Sequence, residues 1–190
     1  MTQPALFALT DGEHSEVTEG GMQLSKSDKG DLSEMLFEIE AMTRGWLVAS
    51  ARGKGRDFDV ILKKPQGRPV VVQVKRSGRP NKSGGSTYYI NCGRKDYSQG
   101  FIPYHKFAFD VLAVHLADTQ QFVFFSRQEM GDRIRATFTP PNERKAAPQG
   151  RALESRQPDN WELLDQVAAM YSQESKGVSQ QMSDPILNTP

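Results

Sequence analysis

The chain has 190 residues, 37% hydrophobic and 25% charged, with a formal net charge of +1; this suits one α/β domain with polar tails. A single cysteine, Cys92, excludes an intrachain disulfide framework or a cysteine-built zinc site, and the three histidines show no ligand spacing. No apolar run approaches a membrane span and the N-terminus lacks a signal-peptide pattern, so a soluble, cytoplasmic protein without membrane partners is expected.

Residues 1–27 are polar, acidic and aperiodic and are expected to form a disordered arm. A helix is predicted to start near Asp31, because Asp31-Leu32-Ser33-Glu34 has capping-box spacing. Leu32, Met35, Leu36, Ile39 and Met42 follow at helical spacing as its apolar stripe, with Glu34 and Glu38 at the edge and Gly45 as the stop. Trp46 to Ala51 reads as a first strand, followed by a basic turn at Gly53-Lys54-Gly55-Arg56.

Two runs, Asp57 to Leu62 and Val70 to Lys75, flank the Pro/Gly-rich turn at 63–69 and read as a β-hairpin. With period two, Phe58, Val60 and Leu62 share a core face with Val70, Val72 and Val74. Asp59, Gln73 and Lys75 then share the other face, provided the register holds; a one-residue slip would separate them. An acid, an amide and an ammonium side by side stabilise a sheet poorly, yet suit a divalent metal and a phosphate.

The charge is unevenly spread. Residues 1–42 carry nine acids and two bases; residues 44–82 carry eleven bases and two acids, which are Asp57 and Asp59. Such a basic segment fits an anionic polymer, and a solvated basic surface explains the charge equally well. Further on, a basic loop runs from Arg76 to Gly85 and Thr87 to Asn91 is a short strand. Lys95 to Lys106 reads as loop or helix, and Phe109 to His115 with Gln121 to Phe125 as a second hairpin. Residues 28–138 thus make the domain and 139–157 a linker. A C-terminal helix is predicted over 158–174, capped by Asp159, with Trp161, Leu164, Val167, Ala168 and Tyr171 on one face. Residues 175–190 read as a disordered tail. The order of elements predicts an α/β (α+β) layer with an N-terminal helix and a mixed, mainly antiparallel central sheet.

A helix bearing a glutamate, a hairpin with Asp on its first strand, and Glu/Gln-x-Lys on its second resembles the PD-(D/E)XK nuclease superfamily. The matching residues are Glu34, Asp59 and Gln73-Val74-Lys75, with Gln73 fourteen positions after Asp59. The Gln-x-Lys form is similar to certain intron-encoded homing endonucleases, and archaeal-type Holliday-junction resolvases are similar in build. Residues 109–114 resemble the fourth core strand, and the likeness spans about residues 29–126. Two features depart from the pattern: Phe58 stands where a proline usually precedes the Asp, and Gln73 replaces the usual Glu.

The resemblance implies a restriction-endonuclease-like core and metal-dependent cleavage of DNA. Asp59, the Gln73 amide oxygen and the Val74 carbonyl would hold Mg²⁺, with Mn²⁺ able to substitute, more weakly than a pair of carboxylates would. Lys75 would sit near the scissile phosphate, and Glu34 would reach a metal-bound water from the helix. Arg52, Lys54, Arg56, Arg76, Arg79, Lys82, Arg94 and Lys95 would contact DNA phosphates. The partner would be double-stranded or branched DNA, and cutting two strands favours a homodimer.

Each residue also has a plainer explanation. Helix glutamates are mostly solvated. Asp57 reads as a spectator that could hold Arg56 or Lys75, and an Asp–Lys pair could be structural. His115 on an apolar strand is more often core than catalytic. Tyr88, Tyr89, Tyr97 and Tyr104 could stack on bases, although aromatics in short strands mostly pack. A catalytically inactive DNA-binding protein on the same scaffold, or an interaction protein with an acidic partner, are the alternatives.

Overall fold

The structure, a computed structural model, describes residues 24–51, 56–78, 87–96, 98–141, 153 and 156–170. Helix α1 spans Lys26–Thr43. Its N-terminus is set by a capping box in which the Ser25 hydroxyl accepts from the Asp28 N–H (3.2 Å) and the Asp28 carboxylate accepts from the Ser25 N–H (3.0 Å). The helix therefore starts earlier than Asp31, and residues 26 and 27 belong to it and not to an arm. Glu34 consequently lies mid-helix, where its carboxylate is not committed to a cap. Gly45, at φ +81°, turns the chain out of the helix, a conformation that favours glycine.

The buried line of α1 is Ser33, Phe37 and Ala41. The predicted stripe lies largely outside it: Met35, Ile39 and Met42 are each about half exposed. The aromatic core decides the rotation. Phe37 stacks on Trp161 (5.5 Å between centroids) and meets Phe122 edge-on (5.4 Å), burying more surface than the methionines could.

The central sheet has the order β1-β2-β3-β7-β8. It comprises β1 (Leu47–Ser50), β2 (Val60–Lys63), β3 (Val70–Ser77), β7 (Val111–Leu116) and β8 (Gln121–Ser126). All neighbours are antiparallel except β3 and β7, which run parallel. The crossover between those two carries β4 (Tyr88–Asn91), β5 (Arg94–Asp96) and β6 (Gly100–Ile102). Strand β4 pairs with β9 (Arg135–Phe138), which the sequence did not announce, in a separate ribbon. Strands β5 and β6 form a small hairpin where loop or helix was expected. A single-turn helix, α2 (Arg127–Met130), follows β8 and is capped by Ser126 and Glu129.

Both faces of the sheet are covered. On one, Val60, Leu62, Val70, Val72 and Val74 pack beneath Phe37, Ala41, Trp161 and Leu164. On the other, Leu112, Val114, Leu116 and Phe125 pack beneath Tyr88, Ile90, Ala136 and Phe138. Residues 162–170 are helical and close the first core with Leu164, Val167 and Ala168. Asp159 does not cap that helix by its side chain; its carboxylate accepts from the Phe122 N–H (3.0 Å), pinning the segment to β8. Within the expected linker, Leu153 is buried and Arg156 donates to the Phe124 carbonyl (3.0 Å). Residues 1–23, Tyr171 and the rest of the C-terminal stretch lie outside the described residues. No described helix is long and apolar enough to cross a membrane.

Candidate active site

The register of β2 and β3 pairs Val60 with Val72 and Ile61 with Val71. One further step pairs Asp59 with Gln73, so both project to one face. Asp59 lies just before β2, where the backbone is held from two sides. Its N–H donates to the Val72 carbonyl (3.0 Å), and its carbonyl accepts from the Ala51 N–H (2.7 Å).

Regular pairing stops there, and a side chain takes over. The Val74 N–H donates to Asp59 Oδ2 at 2.7 Å. Gln73 Nε2 donates to the same oxygen and also to the Val74 carbonyl (3.2 Å). Gln73 is 3% exposed, and its Oε1 is buried with no hydrogen-bond partner among the described residues. An orphaned buried acceptor next to a carboxylate and a carbonyl is costly unless something electropositive occupies the space.

Burial raises the pKa of Asp59, against the lowering effects of the Val74 N–H, Lys75 and the Gln73 amide. Glu34 is pushed up to about 7, first by burial and then by the negative charge of Asp59, with Asp31 and Glu38 adding to it and Lys75 opposing. The helix glutamate, the strand aspartate and the lysine therefore share one electrostatic environment. Lys75 Nζ lies 5.5 Å from the ring centroid of Tyr104, itself buried and packed edge-on against Phe109. No group of three or more His, Cys, Asp or Glu gathers among the described residues. Further oxygens for a cation would come from the Gln73 amide and the backbone.

The sequence-predicted DNA contacts divide. Arg56 is exposed beside the site's first strand, and Arg94 and Lys95 are exposed on β5. Arg76 projects to the opposite face of β3 from Lys75, and its charge acts on His115. Arg52, Lys54, Arg79, Lys82 and Tyr97 lie outside the described residues. Asp57 holds neither Arg56 nor Lys75; its Oδ1 lies 3.7 Å from Arg94 Nε. Tyr88 is core, with its hydroxyl on Asp118, whereas Tyr89 is exposed.

One core contact was not announced by the sequence, that of Ser33; His115 is core, as its apolar strand predicted. Ser33 Oγ lies 2.9 Å from His115 Nδ1, inside the core, and the His115 ring stacks on Phe122 at 5.0 Å. Burial lowers the pKa of His115 to about 4, so the ring is neutral. This bond ties α1 to β7 one residue before Glu34, on the same buried line as Phe37. The histidine in an apolar strand was the available signal; Ser33 lay outside the predicted apolar stripe. Tyr104, a candidate for base stacking in the sequence, is instead buried against Phe109 and lies beside Lys75.

The sequence pattern of the PD-(D/E)XK endonucleases matches residues 24–153. The chain belongs to that family. Its members generally use divalent metals and act on DNA. Among solved structures, a bacterial homing endonuclease, I-Ssp6803I, matches with a TM-score of 0.58 and 22% identity, over 83% of this chain and 98% of that one. The likeness shows a common fold, a restriction-endonuclease-like core with an N-terminal helix and a central mixed sheet. MepB matches over 66% of this chain and 87% of its own at 15% identity, with a TM-score of 0.37, too low to indicate a common fold. No curated protein matches.

Proposed function

We propose that this PD-(D/E)XK family member is a Mg²⁺-dependent DNA endonuclease, with Mn²⁺ able to substitute, cutting double-stranded or branched DNA as a homodimer with one site per subunit. The observation that carries the reading is the convergence of the Asp59 carboxylate, the Gln73 amide and the Val74 carbonyl, with Lys75 on the same face. The donor set fits a hard divalent cation. Turning the Gln73 amide end for end brings its orphaned Oε1 to the side where Nε2 now meets two oxygens, replacing a donor by an acceptor.

A cation held by Asp59, Gln73 and Val74 would lower the pKa of bound water and offset charge on the phosphate. Asp59 is kept in place by the Val74 N–H, so its carboxylate needs no reorganisation when DNA arrives. Lys75, steadied by Tyr104, offers its ammonium to the phosphate as negative charge builds on the non-bridging oxygens. Glu34, whose carboxyl burial and the Asp59 charge push up, can take the proton of the attacking water as its oxygen bonds to phosphorus. The phosphorus–oxygen ester bond breaks, and the leaving oxygen takes a proton from solvent.

Purified protein should cut duplex or four-way-junction DNA with Mg²⁺ and not with EDTA. Asp59→Ala and Lys75→Ala should abolish cutting while salt-sensitive DNA binding persists. Full activity in both variants would end the reading. DNA binding by the wild type with no Mn²⁺ taken up in a calorimetric titration would favour a catalytically inactive DNA-binding protein, the reading to which the neutral Gln73 lends weight.

A further inference from the structure

We propose that the outward face of the β4–β9 ribbon enters the major groove of duplex DNA and reads base edges beside the cleavage site, an inference that rests on the endonuclease reading above. The ribbon alternates strictly. Tyr88, Ile90, Ala136 and Phe138 point inward and are buried, whereas Tyr89, Asn91 and Arg135 are exposed and Thr137 partly so. The register pairs Tyr89 with Thr137 and Asn91 with Arg135, so these four side chains form one patch, two by two.

That patch looks the same way as the candidate active site. The parallel register sets Gln73 beside Leu112 and Lys75 beside Val114, so all four share one sheet face. The inner side of the ribbon packs on that same face, against Leu112, Val114, Leu116 and Phe125. Its outer side is therefore turned away from the sheet on the side that carries Asp59, Gln73 and Lys75. The two regions also touch. The Ser77 hydroxyl, two residues after Lys75, donates to the Tyr89 carbonyl at 2.7 Å. Arg94, two residues past Cys92 at the ribbon's end, reaches Asp57, two residues before Asp59.

The chemistry of the face suits nucleic acid and not a packed core. Tyr89 is 64% exposed. The side chains of Tyr89, Asn91 and Arg135 make no hydrogen bond or ion pair among the described residues. Asn and Arg are the side chains that pair bidentately with adenine and guanine in the major groove. Arg94 and Lys95, at the adjoining hairpin, add positive charge for phosphates. The one acid of that hairpin, Asp96, is used within its own turn by Ser98 and Gln99. Four residues of strand span about 14 Å, and the major groove, about 12 Å wide, admits a two-stranded ribbon.

The test is a selection. Wild-type protein in EDTA, where it binds without cutting, is mixed with a pool of duplexes carrying a randomised central segment, and retained duplexes are sequenced. The expected result is a shared base-pair pattern. Asn91→Ala and Arg135→Ala should each lower affinity for the selected duplex by about tenfold or more, with a smaller loss on the unselected pool. Recovery of the same pattern by a Tyr89→Ala/Asn91→Ala/Arg135→Ala variant that melts like the wild type would overturn the proposal and leave the endonuclease reading standing. Wild-type binding with no shared pattern would do the same. If the wild type neither retains duplexes at low salt nor cuts them with Mg²⁺, the endonuclease reading falls and takes this proposal with it.

Discussion

Gln73→Glu keeps the side-chain length and exchanges an amide for a carboxyl at the most enclosed point of the site. In the wild type, Nε2 supplies a hydrogen bond to Asp59 and another to the Val74 carbonyl. The variant has neither donor when ionised, and the position is 3% exposed. Losing a donor to a buried carboxylate costs roughly 1–3 kcal/mol, and a second carboxylate against the first adds repulsion. A destabilisation of about 2–4 kcal/mol is expected at pH 8 in EDTA. The new carboxyl should have a folded-state pKa above its unfolded value. Stability is therefore lost as pH rises from the unfolded toward the folded pKa, and the defect should shrink at pH 5. Divalent metal reverses the ranking, because the added charge strengthens binding; an ion at a hundred times its Kd contributes about 2.7 kcal/mol. The assay is thermal melting at pH 5 and pH 8, in EDTA and in Mn²⁺, where about 1 kcal/mol moves Tm by roughly 2–4 °C. Equal melting of both proteins in EDTA at pH 8 would refute the claim that the amide holds Asp59. An equal response to Mn²⁺ would refute Gln73 as a ligand.

Glu34→Gln should stabilise the protein above neutral pH and change little at pH 4. The Glu34 pKa is raised from 4.5 to about 7, so ionising it costs stability progressively across that interval. Because the group is only half-buried, the gain is discounted to on the order of 1–2 kcal/mol, read as a pH-dependent difference in Tm. Phe37→Ala should cost about 3–5 kcal/mol in urea unfolding, since it empties the ring packed among Trp161, Phe122 and Phe124. A loss below about 1 kcal/mol would mean that α1 is not anchored through this ring.

The hairpin was legible because its alternation is strict from Val60 on; Phe58, expected on the same face, packs against the opposite core with Val71. Val60, Leu62, Val70, Val72 and Val74 leave one register that buries them all, and this register sets Asp59 opposite Gln73. The helix was legible in existence and not in phase. Its apolar residues cover too wide an arc for spacing to choose a face, and the choice falls to Phe37, through rings contributed by β8 and the C-terminal segment. Its start was misplaced because two box-like signals compete; Ser25 and Asp28 take the cap, leaving Asp31 and Glu34 to the helix body. The β4–β9 ribbon was half-visible. Arg135–Phe138 is too short and too mixed to announce a strand, and its partner lies more than forty residues earlier.

The position of the site follows from where strand pairing ends. The Val72 carbonyl and Val74 N–H both face β2, and a continued ladder would give Val74 a backbone carbonyl. Asp59 takes that place with its side chain, so the two strands part without orphaning the Val74 N–H. The opening this creates is lined by Asp59, Gln73 and the Val74 carbonyl, which is why an acid is needed there. Asparagine could accept the same bond through its amide oxygen, but it would carry no charge for a cation. Asp59→Asn should therefore retain most of the wild-type melting temperature in EDTA while losing the rise in Tm that Mn²⁺ gives the wild type. Loss of folding in Asp59→Asn would mean that the charge, and not the hydrogen bond, closes the fork.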